Sequence, residues 1–268
     1  MPRKHLNLTV GAALVTILLV AGLLAPLLAP FDPYGQNLND PFAPPSWHHW
    51  LGTDDFGRDV FSRILYGARL SLLEIAVAVS LTVCIGVPVG LVAGYFGGSL
   101  DSLIMWCMDI LYAFPGIVLM ILLVATLGPS LLDTLVAIAI FSVPVYTRLT
   151  RNLTMKLKRM EFVEAAQASG AGTTRILLNH ILRNAYVPIL IQGSVSAGET
   201  ILTASGLSFL GLGAQPPSAE WGTMLGSGRQ FLGAATYLSA FPGLAITLAA
   251  IGFNLLGDGL RDKLDPRF

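Results

Sequence analysis

The sequence predicts an all-α, polytopic membrane protein with about six transmembrane helices, and three observations carry that prediction. Apolar residues make up 54% of the 268-residue chain and charged residues only 12%, with a mean hydropathy of +0.69, which places it outside the range of soluble domains. The apolar residues fall into six runs, five of them 20 residues or longer and so able to cross a hydrocarbon core of about 30 Å as a helix. The one long polar interruption in the second half, residues 148–184, is basic, and basic loops face the cytoplasm. A formal net charge of zero gives no electrostatic support for nucleic-acid binding.

The first span is expected at Leu8–Ala29, with Arg3, Lys4 and His5 before it on the inner side. A cleaved signal peptide is the rival reading, but its apolar core runs only about 7 to 15 residues. Residues 30–46 are proline-rich and polar without helical period, so they read as an extended external loop. In Trp47-His48-His49-Trp50, adjacent histidines point apart and no carboxylate or cysteine joins them at ligand spacing. Interfacial anchoring by the tryptophans is therefore preferred over a metal site.

Residues 51–72 start a helix at Thr53, Asp54 or Asp55, pair Asp59 with Arg63, and place Val60, Phe61, Ile64, Leu65 and Ala68 on one face. This helix is expected along the membrane surface before turning inward. Its acidic residues lack the alternation of a calcium loop. The second span, Ser71–Tyr95, carries Gly86, Gly90 and Gly94 on one face, where another helix can pack. Glu74 lies near its outer end, within reach of the interface or Arg69, as a boundary residue or a functional one.

The third span, Ser102–Leu127, carries Asp109, which must face the bundle interior or a watery pathway, and Pro115, which kinks the helix. Cys84 and Cys107 lie in apolar runs and read as packing residues. The fourth span is Leu132–Tyr146, bent at Pro144. In the fifth, Tyr186–Leu212, Gln192, Ser196, Glu199 and Thr203 form a polar stripe. The stripe either hydrogen-bonds across the bundle or lines a wet translocation path. Residues 206–232 form the last external loop, with Trp221 at the interface; the sixth span is Tyr237–Leu256 and the tail is cytoplasmic. Two lysines or arginines before the first span, seven in the 148–184 loop and three in the tail put twelve of sixteen inside.

Within that loop, Glu161–Ser169 reads as a short helix stopped at Gly170, with Thr173 or Thr174 capping a second. The spacing Glu164-Ala165-Ala166, three residues, Gly170, then His180-Ile181-Leu182 resembles the EAA loop of ABC importer permeases. Arg183 stands where that pattern has proline, so the exit from the second helix is expected elsewhere, near Pro188. The segment from Gly52 to Leu72, residues 206–232 and the ending GDGLRDKLDPRF resemble the permeases of dipeptide and oligopeptide importers.

That resemblance implies a type I ABC importer permease fold, with residues 1–68 as N-terminal helix and periplasmic loop and 69–268 as the permease domain. It implies a bacterial inner-membrane complex of this chain, a second permease, two ATP-binding subunits and an external substrate-binding protein, with both termini cytoplasmic. ATP and Mg belong to the partner subunits; no phosphate-binding loop occurs here, and no cofactor or enzyme activity is expected in this chain. Glu161, Glu164, Ala165, Ala166, Gly170, His180 and Leu182 would couple to the ATPase, and Asp109 with the Gln192–Thr203 stripe would line the pathway. Relatives carry dipeptides, longer peptides, glutathione or nickel. A secondary transporter would need paired inverted repeats, a channel a selectivity motif, and a membrane enzyme a convergent nucleophile and base; none is evident.

Overall fold

The computed structural model describes residues 2–264, with side chains from residue 6, so the last four residues of the tail lie outside the described residues. The described chain is helical without a strand, apart from one isolated bridge between Thr53 and Asp59. Helix α1 (Pro2–Leu23) is followed by a short α2 (Ala25–Leu28). The predicted span to Ala29 is thus interrupted at Leu24, because Pro26 can neither donate to residue 22 nor fit behind its carbonyl.

Helix α3 (Val60–Phe96) is 37 residues long, about 55 Å. It corrects the surface helix expected at residues 51–72: the amphipathic stretch continues in phase into the membrane run instead of turning. The helix begins at Asp59, whose carboxylate accepts from the Ser62 N–H and hydroxyl at 2.7 Å each and lies 2.9 Å from His49 Nδ1. The expected Asp59–Arg63 pair is therefore absent, and Asp54 instead holds Arg58 at 2.6 Å. The boundary at 68/69 falls inside α3.

Because α3 starts eleven residues before Ser71, Glu74 sits about four turns inside it. It is fully buried, and neither of its oxygens has a hydrogen-bond partner among the described residues, in place of the expected contact with Arg69 or the interface.

Helices α4 (Gly98–Tyr112) and α5 (Gly116–Leu127) replace the third span and meet at an angle of 89°. Pro115 breaks the run outright. Helix α6 (Leu131–Leu157) runs through Pro144 and continues eleven residues beyond Tyr146, absorbing the start of the polar loop. After α7 (Glu161–Ala168) and α8 (Thr173–Arg175), a π-helical stretch, Ile176–Leu182, leads without a break into α9 (Arg183–Phe209). Gly172, not Thr173 or Thr174, stands at the cap of α8. No exit occurs near Pro188, which lies within α9. Helix α10 (Trp221–Gly228) lies in the loop between α9 and α11, and α11 (Tyr237–Leu264) extends two turns past Leu256.

Among the described residues four helices are long and apolar enough to span, and five if the broken α4–α5 pair counts as one span. The expected fifth span, α9, has the length, but its polar side chains keep it out of that set.

Three apolar clusters hold the helices. One joins α1, α3, α9, α10 and α11 around Trp221 and Ile201; a second joins α3, α5, α6 and α9 around Leu135 and Val124; a third gathers Tyr146, Val163, Ile176 and Ile181 at the end of the bundle that carries the polar loop. Helix α3 lies against α6 through Gly86, Gly90 and Gly94. A Cβ on Gly90 would come within 2.5 Å of the Thr147 carbonyl, and one on Gly94 within 2.6 Å of the Arg151 carbonyl. Cys84 and Cys107 are exposed rather than packed within the chain; their helices turn those faces away from these clusters.

The loop after α2 and the loop around α10 are fastened by Arg63, 4% exposed, which donates to the carbonyls of Pro33 (2.9 Å), Pro217 (3.3 Å) and Ser218 (3.0 Å). Glu220 caps α10 through the N–H groups of Gly222 and Thr223 at 2.7 Å each, and burial raises its carboxyl above the ordinary range. That cap turns Trp221 inward. Only 2% of it is exposed, and its Nε1 donates to the Ile64 carbonyl at 3.0 Å, which corrects its placement at the interface. Trp47 and Trp50 do stay exposed.

Arg63→Ala should lower stability by about 3 kcal/mol, since it leaves three carbonyls without their donor. Arg63→Lys should recover only part, because an ammonium cannot reproduce the guanidinium fork. Thermal unfolding of the detergent-purified chain reads both, and an unchanged midpoint in Arg63→Ala would show that the tie contributes nothing.

Candidate functional site

The polar loop is built on the end of α6. Lys158 Nζ reaches the Tyr95 carbonyl and lies 5.0 Å from the Tyr95 ring centroid. Arg151 forms a two-pronged ion pair with Asp101 of α4, a geometry stronger than a single exposed contact. Arg148 pairs with Asp109 at 2.6 Å and lies 4.6 Å over the Tyr112 ring. Asp109 is therefore on an exposed face of α4, its side chain 68% accessible, and not inside the bundle as its cost in hydrocarbon suggested. Its partner, Arg148, lies on α6 where the polar loop begins.

Helix α7 follows the turn at Met160. Glu161 and Glu164 stand in its first turn, where carboxylates favour the positive end of the helix dipole. At its end the Gly170 N–H donates to the Gln167 carbonyl at 2.9 Å and the Ala171 N–H to the Ala166 carbonyl at 3.0 Å. This double bond pattern, a Schellman motif, requires the left-handed φ of +79° that Gly170 adopts. A single fully buried side chain, Val163, anchors α7 to Ile176 and Ile181. The opposite face, with Glu161, Phe162, Glu164 and Ala165, is exposed, while Ala166 is half-buried.

His180 and Leu182 fall in the π-helical stretch. Leu182 packs against the cluster around Val163, and the His180 carbonyl accepts from Asn184 Nδ2 at 2.6 Å. Arg183 has helical backbone angles, so its place in the pattern makes no exit.

The polar stripe of α9 divides between two spaces. Ser196, Glu199 and Thr203 line a cavity of about 300 Å³ with Tyr112, Met120, Phe141 and Ser142. Gln192 donates to Ser196 Oγ at 3.3 Å and lines a larger cavity of about 670 Å³ bounded by α6, α9 and α11. Asp109 lines neither. Gly86, Gly90 and Gly94 serve the α3–α6 contact.

Sequence reasoning missed the participation of Tyr112 and Phe141, whose ring centroids lie 5.6 Å apart. For Tyr112 the signal was its position three residues before the Pro115 that breaks the run, which leaves it at the end of α4; for Phe141, in the middle of α6, the sequence carried none.

The family described as the inner membrane component of binding-protein-dependent transport systems matches residues 86–268, and the N-terminal transmembrane domain of oligopeptide transport permease C matches residues 3–45. The chain is 46% identical to the dipeptide transport system permease protein DppC of Alkalihalophilus pseudofirmus, over 99% of this chain and 87% of that protein. It is 44% identical to the probable D,D-dipeptide transport system permease protein DdpC of Escherichia coli K12, over 98% and 89%. It is also 45% identical to the glutathione transport system permease protein GsiD of Pectobacterium atrosepticum, over 99% and 88%.

Proposed function

This chain belongs to the family of inner membrane components of binding-protein-dependent transport systems, and from that premise we propose that it conducts di- or oligopeptides across the cytoplasmic membrane as one permease of an ATP-driven importer. It is a permease component and not itself an enzyme. In this reading a second, related permease completes the pathway, two separate subunits bind ATP and Mg, and an external binding protein delivers substrate. Both termini face the cytoplasm, in keeping with twelve of the sixteen lysines and arginines on that side.

The observation that carries the reading is α7: a short helix fixed by one buried valine and a Schellman stop, with an exposed face of Glu161, Phe162, Glu164 and Ala165. Such a helix has little of its own to stabilise it apart from these fixings, and it offers a partner a rigid, partly apolar and acidic surface. Nucleotide-driven closure of the ATPase pair would push on this helix, and the ion pairs from Arg148 and Arg151 would pass the motion to α4. Glutathione is the second reading, favoured by relatives of that name at nearly equal identity.

Gentle purification of a tagged chain expressed with its genomic neighbours tests the proposal. Recovery of a second permease and ATPases carrying phosphate-binding loops is the expected result. Recovery of this chain alone, under conditions that keep known importers intact, would overturn it. Reconstitution of the recovered complex then separates dipeptide from glutathione uptake.

A further inference from the structure

The cavity among α4, α5, α6 and α9 is chemically one-sided. Its wall carries two aromatic rings, Tyr112 and Phe141, the hydroxyls of Ser142, Ser196 and Thr203, and one charged group, the carboxylate of Glu199. Among the described residues that carboxylate has no hydrogen-bond or ion-pair partner. Arg148, which lies 4.6 Å over the Tyr112 ring but outside the lining, is engaged by Asp109 at 2.6 Å. Glu199 is an exposed residue, so its charge stands open to the cavity with no cation of the described residues paired with it.

A second feature adds to it independently. Helix α4 ends at Tyr112, on the cavity wall, and a helix C-terminus carries partial negative charge on its last carbonyls. Pro115 has no N–H to offer the carbonyl of Leu111, four residues earlier, so the break that turns α5 through 89° also leaves acceptors open. The ring face of Phe141 attracts cations in turn, while that of Tyr112 already holds Arg148 at 4.6 Å. Carboxylate, helix end and the Phe141 face all favour one ligand chemistry: a small, hydrogen-bonding cation.

On the reading that this chain conducts peptides, we infer that Glu199 receives the free α-amino group of the peptide in transit, and that Tyr112, Phe141 and the surrounding hydroxyls complete an ammonium subsite within the permease. The peptide carboxylate finds no cation in this wall, so the site distinguishes the two ends of the substrate.

The test uses the complete transporter with its binding protein in proteoliposomes, measuring uptake of dialanine and of N-acetyl-dialanine, each at saturating concentration and each expressed per ATP hydrolysed. Replacement of a charged hydrogen-bond acceptor by its neutral isostere should be felt strongly. In Glu199→Gln, dialanine uptake per ATP should fall roughly tenfold while the capped peptide loses far less; Glu199→Asp should restore most of the dialanine rate. Wild-type dialanine uptake in Glu199→Gln would overturn the inference and leave the importer reading standing. Equal losses for free and capped peptide would also overturn it, assigning Glu199 to the shape of the path. Failure of the wild-type complex to take up any dipeptide, tripeptide or glutathione would instead remove the importer reading beneath it.

Discussion

Gly90→Leu is expected to destabilise the isolated chain by about 3 kcal/mol, the upper end of the usual cost of overpacking. The contact that forbids a side chain there is with backbone: a Cβ alone would sit 2.5 Å from the Thr147 carbonyl and 2.8 Å from the Thr150 Cβ. A flexible neighbour could rotate aside, but a carbonyl in the middle of a helix cannot, so α3 and α6 must separate. Small residues at such a seam are what allow helices to approach in a membrane, where no hydrophobic force presses them together. The damage should therefore spread to the neighbouring Gly86 and Gly94 contacts. Gly206→Leu is the matched control, since a Cβ at Gly206 meets nothing within 4 Å, and should change stability by no more than about 0.5 kcal/mol. Thermal unfolding in detergent, followed by circular dichroism, compares the two. Equal midpoints would mean that the seam is looser than its geometry implies.

The second large effect is expected at Val163. Aspartate at this fully buried position would place a carboxylate among Tyr146, Ile176 and Ile181 with no partner, at a cost of several kcal/mol. Helix α7 has no other fully buried side chain, so it should undock while the spanning helices persist. ATP-driven uptake should fall roughly a hundredfold, the scale of an uncompensated buried charge. Protease accessibility of the loop should rise in parallel, with insertion unchanged. Wild-type uptake by Val163→Asp would show that the docked position of α7 is not needed for transport.

Local signals made part of this architecture legible. Glu161–Ser169 and its stop at Gly170 could be placed because a short helix and a left-handed glycine are written in adjacent residues. The small face at Gly86, Gly90 and Gly94 follows from helical spacing alone. What escaped were features set by distant contacts. Trp221 turns inward because Glu220 caps the helix it begins and Gly67 leaves room beneath it, and those residues stand some 150 positions apart. Arg63 reads as one end of a local pair until the carbonyls of Pro33 and Ser218 are brought to it. Glu74 was misplaced because helix length was read from apolarity, and α3 outlasts the apolar run at its start. Of the stripe on α9, periodicity gave the common face, but only the packing of α4, α6 and α11 divides Gln192 from Glu199.

The π-helical stretch at Ile176–Leu182 sets the angular phase of everything that follows it. Each residue in an α-helix advances the side chain by about 100° around the axis, and the wider π turn holds back that advance over its own length. Because helix continues unbroken from Thr173 to Phe209, the compass bearing of Glu199 relative to the anchor points Ile176 and Ile181 is fixed by this widening. Tightening that stretch to a regular α-helix with no residue removed would swing Glu199 and Ser196 by about a quarter turn away from Tyr112, whereas tightening it and deleting one residue together would leave their bearing nearly unchanged. The segment therefore acts as an indexing key between the polar loop and the wall of the cavity.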